Sequence, residues 1–119
     1  MDQANRLVNF DFLKGFSGND SAFMREVIEI YIDETPQYLE ALHLAVQRQD
    51  WAKVGEVAHS LKSSVRFMGM GSVTEQVLQL EIFGKKQEQT ARIPDLAKQV
   101  TENCLKSIEE LKPLLASDI

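Results

Sequence analysis

Two histidines, one cysteine and a scatter of carboxylates and cations are the side chains on which chemistry could be built in this chain. His59 stands in "EVAHSLKSSVRFMGMG", Glu56 to Gly71, where serines, a lysine and an arginine follow it. Three readings are open for it: an ordinary helical residue, a metal ligand paired with Glu56, or a displayed nucleophile. The metal reading has a pattern behind it, because Glu40-x-x-His43 and Glu56-x-x-His59 repeat the Glu-x-x-His spacing of di-metal carboxylate bundles. Such a site would need further carboxylates, for which Glu29, Glu75, Glu81 and Glu102 are the candidates. The lone Cys104 cannot form an internal disulfide and lies in a helical pattern, which fits a buried or half-buried thiol.

The elements that position these groups read as helices throughout. The segment "VNFDFLKGF" is a short apolar start, and "SGND" supplies turn residues with Asn19 or Asp20 placed to cap a helix beginning near Ser21. Phe23, Val27, Ile30 and Ile32 recur along that helix, and Pro36 is expected to open a second one carrying Leu39, Leu42 and Val46. Asp50 caps a third helix, Trp51 to Met68, with Val54, Val57, Ala58, Leu61, Val65 and Met68 on one stripe. A fourth spans Ser72 to about Lys86 with Val73, Val77, Leu80 and Ile82. A last helix runs from Pro94 to Pro113 on Leu96, Val100, Cys104, Ile108 and Leu111. Short connections favour antiparallel neighbours, so the expected fold is all-α: an antiparallel up-down four-helix bundle with an additional N-terminal helix. One domain over 1–119 is expected, with a short N-terminal segment at 1–19 and the bundle at about 20–115.

Composition narrows the function. A net charge of −5 argues against general nucleic-acid or anionic-membrane binding, so any basic patch must be local. No apolar run is long enough for a membrane span and the N-terminus lacks a signal-peptide pattern, so the chain is expected in the cytoplasm. Neither a P-loop nor a dinucleotide fingerprint occurs, and ATP-dependent self-phosphorylation is not expected.

Wound at 100° per residue from the centre of its apolar stripe, the third helix puts His59 at about 140°, facing away from the core. On the same wheel Lys62 lies at about 80°, Gly55 at about 100°, Arg66 at about 120°, Ala52 at about 160° and Ser63 at about 180°. Lys62 and Arg66 could neutralise an anion on the imidazole, and Ser63 could donate a hydrogen bond to it. Gly55 costs about 1 kcal/mol inside a helix relative to Ala, which close approach by a partner would explain. Glu56, at about 200°, also points outward, whereas bundle metal sites project inward, so no metal site is expected. Phe67, at about 220°, suits a docking surface or cover by another helix equally; Phe12 and Phe16 are expected to pack in the core. Isolated surface histidines on helices are mostly ordinary, and geometry alone leaves His59 undecided.

The residues themselves add weight. "AHSLKSSVRFMG", Ala58 to Gly69, resembles the motif of histidine-containing phosphotransfer (HPt) domains, with His59, Leu61, Lys62, Ser64 and Gly69 in matching places. "FLKGFSGNDSAFMREVIEIYIDETPQYLEAL" and "LQLE" extend the similarity over most of the chain. The resemblance implies a phosphorelay intermediate whose His59 accepts a phosphoryl group from one receiver-domain aspartate and passes it to another, with Lys62 steadying the phosphoryl charge. Ser63 stands where the family usually has glycine. Ser63, Arg66, Gly55, Ala52 and Phe67 would then form the docking surface for receiver domains of response regulators or a hybrid histidine kinase. The chain itself would need no cofactor, magnesium being expected on the partner receiver, and would act as a monomer. Two alternatives of the same overall shape are a bundle that binds receivers without transferring phosphate and the di-metal bundle.

Overall fold

A computed structural model describes residues 6–116. After a short α1 (Phe10–Phe16), four long helices follow: α2 (Ser21–Gln47), α3 (Trp51–Phe67), α4 (Gly71–Lys86) and α5 (Ile93–Ala116). Among the described residues there is no strand. Helix α3 packs on α2 and α4, and α5 on α2 and α4, so the four close into a ring around one core. Cross-helix contacts fix the directions. Tyr31 meets Ser107 while Arg25 reaches the Leu115 carbonyl, and Gly55 meets Gly84 while His59 meets Glu81, so both pairs of helices run antiparallel. The expected four-helix bundle with an added N-terminal helix is what forms.

The caps explain where helices begin. Asp20 accepts from the Phe23 backbone N–H at 3.1 Å, and Asp50 from that of Lys53 at 3.2 Å, each satisfying a donor that the first turn leaves free. Asn19 does not cap; it takes a left-handed φ of 62° in the turn before Asp20. Gly69 (φ 66°) ends α3 and lets α1 approach closely, since a Cβ there would lie 2.7 Å from the Asn9 Cβ. The Asn9 N–H donates to the Met68 carbonyl at 3.0 Å, tying α1 to the end of α3.

Two expectations for α2 fail. Pro36 does not open a new helix but lies within one continuous helix of 27 residues, as Pro113 lies within α5. A proline inside a helix costs about 3 kcal/mol, but packing of both halves of α2 against α3 and α5 outweighs that local penalty. The inward stripe is also a different one: Met24, Ile28, Tyr31, Leu39, Leu42 and Ala45 are buried, whereas Phe23 and Ile30 are exposed. Helix α2 carries two apolar faces, and only one of them meets the core. The stripes expected for α3 and α5 are buried throughout. Ile82 of α4 is exposed.

Cys104 is fully buried, and burial pushes its thiol pKa up to about 12, so it is a packing residue with no nucleophilic character at neutral pH. The Tyr31 phenol, raised by the same desolvation, pairs with Ser107 Oγ at 2.7 Å beside it.

Candidate functional site

The crossing of α3 and α4 builds the site. Gly55 and Gly84 meet face to face: a Cβ on Gly84 would lie 2.6 Å from the Gly55 nitrogen and 2.7 Å from the Trp51 carbonyl oxygen. A Cβ on Gly55 would lie 2.9 Å from the Lys85 nitrogen. Gly55 therefore does not belong to an outward docking surface. The close approach that its helix cost implied is made by α4 of the same chain, which buries it. Because the backbones touch here, the residues one turn away on each helix, His59 and Glu81, fall within side-chain reach of each other.

Glu81 is the hub. Its side chain is 8% exposed, and its Oε2 lies 2.6 Å from His59 Nδ1 and 2.9 Å from Lys85 Nζ. Its Oε1 accepts from Lys62 Nζ at 2.8 Å. Hydrogen bonds from Lys62 first, then Lys85 and His59, outweigh desolvation and hold the Glu81 carboxyl at a pKa of about 2. An ionised carboxylate only accepts, so the shared hydrogen sits on Nδ1, and in the neutral form of the ring the lone pair is on Nε2. The His59 side chain is 61% exposed, as the wheel requires of a displayed residue. The cluster thus pairs an oriented, accessible imidazole nitrogen with two ammonium groups and one counter-charge.

The depressed Glu81 pKa has a sign in stability. A carboxyl near 4.5 when unfolded and about 2 when folded stabilises the fold above pH 4.5, and that contribution is lost as pH falls from about 4.5 to about 2. Glu81→Gln should therefore flatten the fall in urea midpoint across that window; an unchanged acid limb would show that the ion cluster does not form.

The other expected site residues are placed as follows. Lys62, 21% exposed, reaches the cluster through Glu81. Ala52 and Ser63 are exposed on α3, and Arg66 is exposed near its end, beside Asn9 and Phe12 of the α1 region. Glu56 points outward and pairs with Lys53 at 3.5 Å, not with His59. His43 is exposed near the α2–α5 edge, beside Lys98 and Glu102. Among the described residues no group of three or more His, Cys, Asp or Glu is arranged to hold a metal ion. Glu81, considered only as a possible metal ligand, is the functional candidate that residue patterns passed over. No pattern along α3 marks it: Lys62 is the one lysine of the cluster on that helix, and Lys85 joins His59 only where α4 crosses.

Phe67 is exposed and joins an aromatic ridge. Its ring lies 4.9 Å from that of Phe16, which lies 6.1 Å from Phe23, and Phe12 is exposed nearby on α1. Phe12 and Phe16 thus do not pack in the core as expected, because α1 lies along the outside of the α2–α3 edge. The exposed second face of α2, Phe23 and Ile30, continues the ridge.

The Hpt domain family model matches residues 26–113, from early α2 to near the end of α5, and so contains the whole cluster. The chain belongs to the Hpt domain family. No curated protein and no solved structure gives a significant match. As an Hpt domain, the chain has a phosphotransfer role in two-component signalling, in which such domains interact with receiver domains. No helix among the described residues is long and apolar enough to cross a membrane.

Proposed function

We propose that this Hpt domain is a phosphorelay intermediate in which His59 Nε2 takes the phosphoryl group from one receiver aspartate and returns it to another. The observation that carries the reading is the 2.6 Å contact of Nδ1 with Glu81, which leaves Nε2 as the free, exposed nitrogen. In the forward step Nε2 donates its electron pair to phosphorus, the N–P bond forms, and the bond from phosphorus to the aspartyl oxygen breaks to leave a carboxylate. The ring, still carrying Nδ1–H, becomes cationic, and the Glu81 carboxylate stabilises that charge as it develops. In the return step the same Nδ1–H lets the ring depart as neutral imidazole instead of an anion, which favours onward transfer. Lys62, already at the cluster, offsets phosphoryl charge. Magnesium and the acidic pocket that holds it belong to the receiver, and this chain supplies nucleophile, cation and docking surface. No P-loop pattern is present to favour a kinase reading over a carrier.

Docking is assigned to the exposed faces flanking His59: Ala52, Ser63 and Phe67 on α3, Arg66 at its end, and the ridge of Phe16 and Phe23 beyond. Exposed aromatics gathered at one end of a charged site are the arrangement expected of a recognition surface. Phe16→Ser should weaken receiver binding about tenfold by titration calorimetry while leaving helix content unchanged; unaltered affinity would place docking elsewhere.

The reading is tested by incubating the protein with a phosphorylated receiver and examining the label that it acquires. Acid-labile, base-stable label is expected, as for phosphohistidine. Acid-stable label would point to a serine and overturn the assignment.

A further inference from the structure

Lys85 is the part of the cluster that neither the helix wheel nor the motif singles out. It lies on α4, four residues from Glu81, and its ammonium shares Oε2 with His59 Nδ1, placing it within two hydrogen-bond lengths of the imidazole. It is also the looser of the two lysines: its side chain is 52% exposed against 21% for Lys62, and Lys62 has Oε1 to itself.

We propose that Lys85 is a second phosphoryl-binding cation, which moves from Glu81 to the phosphoryl oxygens when His59 is phosphorylated. The inference rests on the carrier reading of His59. Its basis is charge. Before transfer, two ammonium groups face one carboxylate and a neutral ring. A phosphoryl group on Nε2 adds nearly two negative charges and leaves the ring cationic. The ring and Lys62 alone cannot balance the phosphoryl group together with Glu81; with Lys85 included, the three positive groups match the carboxylate and the dianion. The other nearby ion pair, Lys53 with Glu56, is internally neutral, and Arg66 stands two turns along α3 beside Asn9 and Phe12, so neither alters the balance. The two-site arrangement also has a use. A cation that can choose between Glu81 and the phosphoryl group keeps the site paired in both states, so neither carboxylate nor phosphoryl is left without a partner during transfer.

The test is the partition of label between a phosphorylated receiver and the full-length protein at equilibrium. Lys85→Met should shift the partition toward the receiver by about threefold to tenfold, the range for losing one charge-assisted contact at a half-exposed site. Lys85→Arg should restore it, and high salt should shrink the difference between wild type and Lys85→Met. A purely structural role, in which Lys85 only holds Glu81, is separated by repeating the comparison in a Glu81→Gln background. The proposal expects the Lys85→Met shift to persist there. Disappearance of the shift in that background overturns it, as does an unchanged partition for Lys85→Met when the wild type takes label normally. Wild-type protein that takes no label would instead defeat the carrier reading, and this proposal with it.

Discussion

Gly84→Ala should lower the melting temperature by about 10 °C, although alanine is the better helix former. Replacing an interior helical glycine gains about 1 kcal/mol in propensity. Against that gain stands a methyl group 2.6 to 2.9 Å from the Gly55 nitrogen and Cα and the Trp51 carbonyl oxygen. These are backbone atoms, so no side chain can swing aside, and α3 and α4 must separate. Overpacking of this kind typically costs 1–3 kcal/mol and more when backbone must move, so a net loss of about 2 kcal/mol is expected. The same separation should draw Glu81 from His59, one turn along each helix, and remove the Glu81-dependent part of the acid stability profile. A melting temperature that rises would mean that propensity wins and that the crossing is looser than these distances require.

The largest functional effect is expected from His59→Gln. Glutamine keeps a polar side chain at an exposed position, and its amide N–H can donate to Glu81 in place of Nδ1–H, so folding should change by no more than about 1 kcal/mol. It offers no imidazole nitrogen, and uptake of phosphoryl label should vanish within detection. Binding to a receiver should persist, because the aromatic ridge does not include position 59. A Gln variant that drains phosphate from a receiver at the wild-type rate would show that transfer does not pass through this residue, and the non-transferring module would have to be reconsidered.

How much of this was open to reading from residues depends on how many constraints act on each one. Helices α3 and α5 each have a single apolar stripe, and the buried positions follow from it directly. Helix α2 has two, because Phe23 and Ile30 serve an outer face while Met24, Ile28 and Tyr31 serve the core; periodicity alone does not say which face turns inward. Its continuity through Pro36 depends on α3 and α5, and tertiary packing of that kind leaves no local mark. The exposure of His59 could be read because it depends on one helix only. Glu81 could not, since Lys85 is an ordinary i,i+4 neighbour, while Lys62 and His59 lie 19 and 22 residues away and meet it only where Gly55 and Gly84 let the helices touch. Gly55 shows the limit in its simplest form. The helix cost announced a close neighbour, and the identity of that neighbour required the fold.

In the proposed relay Glu81 holds the hydrogen on Nδ1 so that Nε2 carries the phosphoryl group. Nitrogen NMR of ¹⁵N-histidine-labelled protein tests it directly, with only His43 and His59 to assign. Before phosphorylation, at mildly alkaline pH, His59 should show the Nδ1–H tautomer, and that tautomer should be lost in Glu81→Gln. After transfer from a receiver, phosphorus coupling should appear on Nε2 of His59. Coupling on Nδ1, or a phosphorylated protein with no coupling on His59, would contradict the account.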